Sequence, residues 1–96
     1  MSPSNKKKLN LIRIKLDKLD NKLLYLIKNR TNLVNEVLKL KEFKKEIIDK
    51  KRINFILNKV KIKSKKLNLD TKVTNRIWKN MIWSYIDFEK RNFKKK

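Results

Sequence analysis

The sequence of 96 residues contains no histidine and no cysteine. Chemistry that needs an imidazole or a thiol is therefore closed to it. This excludes Ser-His-Asp and Cys-His nucleophile systems, Cys/His zinc sites and a disulfide framework. Glycine is also absent, which excludes a Gly-rich phosphate loop. The informative cation is Arg30. It interrupts an apolar seam that steps through Leu9, Ile12, Leu16, Leu19, Leu23, Leu26, Leu33, Val37 and Leu40 in 3-4 alternation. A guanidinium on such a seam must meet an anion or bear a large desolvation penalty. Two readings follow. Arg30 is a polar residue that sets register, or it is a binding group for an anionic ligand inside a helical bundle.

Two further cations flank the seam. Arg13 and Lys41 share a heptad phase with Ile27 and Val34 and lie 28 residues apart, about 42 Å within one helix. One chain cannot bring them together along that helix. Two such helices packed antiparallel about Ile27 can, because positions 13 and 41 are equidistant from 27. The result is two symmetric sites, each lined by both chains, as a two-fold axis requires. Near the other end of the sequence, Glu89 falls in phase with Trp78, Ile82 and Tyr85. The commoner reading is an amphipathic glutamate that reaches water at a helix end. The functional one is a carboxyl held among apolar groups, where burial favours its protonated form.

The elements that must position these groups are helices. The length fits one domain, 1–96. No glycine and a single proline, Pro3, argue against a sheet-rich fold with tight turns. The seam predicts a first helix from about 5 to 43, capped by Ser4 with Pro3 just outside. It would be about 60 Å long, with no breaker, and needs partners along its length. A short polar link, 44–48, leads to Asp49 as N-cap of a second helix, 50–65, with the stripe Ile53, Ile56, Leu57 and Val60. Asp70 caps a third, 71–93. Its inner stripe is Trp78, Ile82 and Tyr85, with Ile77, Met81 and Phe88 alongside; the tail from Lys94 to Lys96 is expected to fray. The fold class is therefore all-α. A chain this small buries little apolar surface alone, so a homodimer is expected.

The formal charge is +20. Read functionally, it points to nucleic acid or another polyanion. However, lysine, asparagine and isoleucine make up about half the chain, as A+T-rich coding would favour, and the lysines are spread over its whole length. Compositional drift is the preferred reading, though such a field would still steer a small dianion. No apolar run approaches a membrane span, and the N-terminus has no apolar signal region. The default is a soluble cytoplasmic protein.

The run from Arg13 to Lys41, RIKLDKLDNKLLYLIKNRTNLVNEVLKLK, resembles the first helix of AroQ-type chorismate mutases. Arg13, Asp20, Arg30 and Lys41 stand at that family's spacing. The run DKKR, Asp49 to Arg52, resembles the start of its second helix, and RIWKNMIWSYIDFE, Arg76 to Glu89, resembles the third. The resemblance covers nearly the whole chain. It implies an intertwined dimer of three-helix chains with the long first helices packed across the two-fold. It implies the Claisen rearrangement of chorismate to prephenate, on the route to phenylalanine and tyrosine. That reaction is pericyclic and needs no nucleophile, metal or cofactor, so the missing histidine and cysteine do not count against it. Catalysis would come from holding the compact conformer and stabilising charge on the ether oxygen. By the same resemblance, Arg30, Arg52 and Arg13 of the other chain bind the substrate carboxylates and the ring-side region. Lys41 donates to the ether oxygen, Glu89 donates to it while protonated, and Asp49 orients the hydroxyl end.

Two positions depart from the family pattern. A glutamate usual after the arginine of the second helix is Ile53 here, and a position often serine is Tyr85. With the short link between Lys41 and Arg52, these changes resemble the isochorismate-pyruvate lyases, which share the fold and release salicylate. An apolar residue at 53 would alter the preference for ring substituents. The lyase is therefore the alternative enzyme. A basic helical nucleic-acid module, which explains neither Arg30 nor the Arg13–Lys41 symmetry, ranks last.

Overall fold

The computed structural model describes residues 1–95; Lys96, the end of the expected tail, lies outside the described residues. Three α-helices account for most of the chain: α1 (Pro3–Leu40), α2 (Lys50–Lys66) and α3 (Thr71–Asn92), with one 3-10 turn (Lys44–Glu46) between α1 and α2. The fold is all-α, as the seam and the absence of glycine predict. No helix among the described residues is long and apolar enough to cross a membrane. The chain divides into two units, Met1–Leu33 and the part from Val34 onward.

The first unit is the N-terminal length of α1. Its start differs from expectation. Ser2, rather than Ser4, caps the helix, accepting from the Asn5 N–H at 3.2 Å, while the Ser2 carbonyl accepts from Lys6 N–H at 2.9 Å. Pro3 is the first helical residue instead of lying outside. Its fixed φ suits that position, and its missing N–H is one that no helical carbonyl would have received. The seam residues of this unit keep about half of their surface in water: Leu16 51%, Leu19 54% and Leu23 53%.

The second unit holds the core. Leu38, Ile47, Ile82 and Ile86 are buried, with Ile48, Ile53, Ile56, Leu57 and Phe93 packed against them. The link between α1 and α2 is thus not simply polar. Its turn lifts Ile47 into the core, where that residue keeps only 3% of its surface exposed. On α3 the inner stripe is rotated slightly from expectation. Ile82 is buried as predicted, and Ile86 and Glu89 join it, whereas Ile77 faces water.

The ends of α2 and α3 follow from local hydrogen bonding. Asp49 caps α2 by accepting from Arg52 N–H at 3.0 Å. At the other end Asn68 takes a left-handed conformation, φ 56°. Its N–H reaches the Lys65 carbonyl at 3.2 Å, and Leu69 N–H reaches Ser64 at 2.9 Å. This is the Schellman closure, with asparagine filling the place that glycine usually takes. Asp70 follows as the cap of α3, accepting from Lys72 N–H at 2.8 Å. Between the helices the buried Ser64 hydroxyl donates to the Val60 carbonyl at 2.6 Å and lies 2.8 Å from the Thr74 hydroxyl. That contact satisfies a polar group which would otherwise be costly on a packed face. Beyond α3, Lys95 Nζ donates to the Lys39 carbonyl, so the tail is tied at that point rather than frayed.

Because Asp70 is the side-chain cap of the helix that carries Glu89, Asp70→Ala should lower the free energy of unfolding by about 1 kcal/mol. Urea denaturation at fixed protein concentration measures this. An unchanged midpoint would mean that α3 is held by packing alone.

Candidate active site

The residues singled out in the sequence divide between the two units. Arg13 and Arg30 belong to the first; Lys41, Asp49, Arg52, Ile53, Tyr85 and Glu89 belong to the second. Within the first unit, Arg13 is exposed and Arg30 is half-buried, with one terminal guanidinium nitrogen screened from solvent. Arg30 therefore differs from the exposed cations that surround it in sequence. Next to it in sequence, the Thr31 hydroxyl donates back to the Ile27 carbonyl at 2.9 Å.

In the second unit the central feature is an ion pair. Lys41 Nζ lies 3.0 Å from Glu89 Oε1, and the two side chains keep only 18% and 8% of their surface exposed. The residues are 48 positions apart in sequence. Glu89 is thus not a solvated glutamate at a helix end. It is a buried carboxylate with a donor on it, on the same stripe of α3 as Ile82 and Ile86. Charges removed from water this far persist only when paired. Lys41 has three donors, and the bond to Glu89 uses one of them.

Lys41 is held at the start of the link by a second glutamate, which the sequence reading missed. Glu46 Oε2 accepts from Glu42 N–H at 2.7 Å and from Phe43 N–H at 3.0 Å. These N–H groups would otherwise continue α1. Their capture ends the helix at Leu40 rather than near Phe43, with Lys41 N–H closing a tighter bond to the Leu38 carbonyl at 3.2 Å. The available signal was the spacing: a glutamate three residues after the turn's cap position is half of a capping box. The Phe43 and Glu42 N–H bonds, in that order, hold the Glu46 carboxyl below the usual carboxylate range, assisted by Lys45 and Lys41.

A surface depression of about 610 Å³ opens beside this link, lined by Lys41, Glu46, Ile48 and Asp49 together with Val37, Leu40, Lys50 and Lys51. It brings Lys41 and Asp49 onto one concavity. Arg52 does not line it; its guanidinium lies over the Phe55 ring, 5.4 Å from the centroid. Ile53 packs against the core, so an apolar side chain at that position has a packing reason. Tyr85 is half-buried and meets Phe88 edge to face at 6.3 Å.

Within the second unit, the arrangement is a buried cation–carboxyl pair, Lys41 and Glu89, whose lysine also lines a surface depression. This is the equipment for binding a small anion and donating hydrogen bonds to it. Compared with known protein families, residues 12–90 match the model of chorismate mutase type II. The chain belongs to the chorismate mutase type II family. No curated protein and no solved structure matches it. The family match spans all three helices and contains every site residue named above.

Glu46 gives this part of the family scaffold a pH dependence of known sign. A carboxyl whose folded pKa is depressed stabilises the fold above its unfolded pKa, and that contribution is lost as pH falls through the folded value. The stability difference between wild type and Glu46→Gln should therefore be largest near neutral pH and close across the acid range. Unfolding midpoints measured through that range test it; a difference independent of pH would contradict the role given to the carboxylate.

Proposed function

We propose that the protein is a chorismate mutase that converts chorismate to prephenate as a homodimer with two shared active sites. The observation that carries this reading is the Lys41–Glu89 contact. Nζ and Oε1 lie 3.0 Å apart and nearly out of water. Two groups so close can converge on one acceptor atom, and the acceptor in this rearrangement is the ether oxygen whose bond to carbon breaks. Negative charge builds there in the transition state, and prepositioned donors in a water-poor site stabilise it most.

In this mechanism Lys41 donates to the ether oxygen throughout. Glu89 accepts from Lys41 while ionised and can donate to the ether oxygen once protonated. The arginines hold the substrate: Arg30 and Arg52 from one chain and Arg13 from the other grip its two carboxylates. Bidentate guanidinium pairs fix both carboxylates and so hold the compact conformer in which the new carbon–carbon bond forms. Asp49, on the same depression as Lys41, orients the hydroxyl end. No covalent intermediate forms, so the residue types present are sufficient.

The dimer is supported by the exposure of the α1 seam. Leu16, Leu19, Leu23, Leu26 and Leu33 each keep more than half of their surface in water. A contiguous apolar stripe of this length is a surface for association. A second α1, antiparallel and centred near Ile27, would cover it and set Arg13 beside Lys41 of the other chain. The lyase alternative rests on Ile53 and Tyr85. Because Ile53 packs against the core, its departure from glutamate has an explanation that involves no change of substrate, and the mutase is preferred.

The test is a paired turnover assay with chorismate and with isochorismate, followed from acid to neutral pH. The expected result is prephenate from chorismate. Glu89→Gln should retain turnover, because the amide can still donate to the ether oxygen. Lys41→Gln should lose about a hundredfold or more in kcat, as removal of a charge-stabilising donor does elsewhere. Salicylate and pyruvate from isochorismate, with little prephenate, would overturn the assignment.

A further inference from the structure

Helix α2 is chemically one-sided. Its 17 residues include eight lysines and arginines and no aspartate or glutamate. Ile53, Ile56, Leu57, Val60 and Ser64 turn toward the packed interior. On the opposite side, Arg52, Phe55, Lys59, Ile62, Lys63 and Lys66 recur at three- and four-residue spacing and are all exposed. Most of this stripe, with Asn58, lines a shallow groove of about 500 Å³. Arg52 and Lys59 both lie over the Phe55 ring, at 5.4 Å and 5.9 Å from its centroid. Four of the eight cations, Arg52, Lys59, Lys63 and Lys66, thus fall in this row, while Lys50, Lys51, Lys61 and Lys65 are exposed elsewhere on the helix.

Simpler causes explain part of the row. Lysines in a last turn complement the negative end of the helix dipole, which accounts for Lys63, Lys65 and Lys66. It does not account for Arg52 and Lys59 earlier in the helix, or for the lack of any acidic residue. A row of like charges on a helix without acidic residues is unfavourable for the chain alone and becomes favourable beside a polyanion. We propose that the exposed face of α2 binds the phosphate backbone of nucleic acid, without sequence preference, as an activity separate from the depression beside Lys41. Lysines serve as point charges for phosphates and need no fixed geometry. Lys59, Lys63 and Lys66 lie on successive turns, and Asn58 adds a neutral hydrogen-bonding group of the kind that contacts phosphate oxygens. The apolar part of the face is confined to Phe55 and Ile62, and the Phe55 ring is overlaid by cations. This favours a hydrophilic polyanion over a lipid surface, which would need a wider apolar face.

The test compares two triple variants of the full chain that remove equal charge. One is Lys59→Gln, Lys63→Gln, Lys66→Gln on the α2 face. The other is Lys7→Gln, Lys18→Gln, Lys28→Gln, at positions of α1 off its apolar seam. Binding to a labelled duplex of arbitrary sequence is measured across a salt series, with helicity checked by circular dichroism. The proposal expects the wild type and the α1 variant to bind alike. The α2 variant should bind at least about tenfold more weakly at moderate salt, with the log–log salt slope shallower by about 3. Lys59→Arg, Lys63→Arg, Lys66→Arg keeps the charges and should keep the affinity, which separates loss of charge from loss of fold. Equal weakening of the two glutamine variants would overturn the proposal, since binding would then follow net charge alone. So would no binding at physiological salt, or binding to phosphatidylserine vesicles that exceeds binding to the duplex.

Discussion

A long helix with an apolar seam cannot satisfy that seam by itself. α1 extends over 38 residues, and the leucines along it are left about half in water. A helix of this kind gains most of its stability from packing rather than from intrinsic propensity. The buried core of the second unit is small, with four buried apolar residues among those described. The apolar surface still to be covered on α1 is therefore the dominant physical constraint on the molecule. It is the observation that supports the proposed pair of chains. The proposed pairing would also explain why Arg13 and Lys41, too far apart to cooperate along one helix, occupy equivalent heptad positions.

The catalytic reading depends on that pairing and on one local contact. A reaction without covalent intermediates asks only that a dianion be held in a reactive shape and that charge on one oxygen be stabilised. Arginine, lysine and glutamate can meet those requirements. Lys41 and Glu89 are the groups whose partnership is visible, drawn together from α3 and the residue just after α1. Glu46 matters because it terminates α1 in the right place. By taking two backbone N–H groups it turns the chain at Lys41 and lets Ile47 enter the core.

Much of this was legible in the sequence, and the exceptions have physical causes. The seam, the absence of glycine and the two aspartate caps were enough for an all-α chain of three helices. Asp49 and Asp70 do cap α2 and α3. At the N-terminus two serines flank Pro3, and the preference of proline for the first helical position decides between them in favour of Ser2. Ile47 and Ile48 form an apolar pair inside a charged run, too short to display any period, so their packing could not be read. Glu89 was recognisable as an acid in phase with apolar residues of α3. Its pairing with Lys41 was not derivable, because helical periodicity fixes the face of each helix but not which faces meet. The basic row of α2 was hidden for a related reason: only the packing of Ile53 and its neighbours shows which side of the helix remains in water.

The central claim is that each active site draws Arg13 from one chain and Lys41 from the other. Mixed dimers test it most directly. Arg13→Ala and Lys41→Gln chains, each impaired alone, are refolded together and assayed with chorismate. If the sites are shared as described, one site of every mixed dimer contains both native residues, and about a quarter of wild-type turnover returns at random pairing. If the mixture contains mixed dimers and remains as impaired as its parents, the two residues do not meet across chains and the account of the site is wrong.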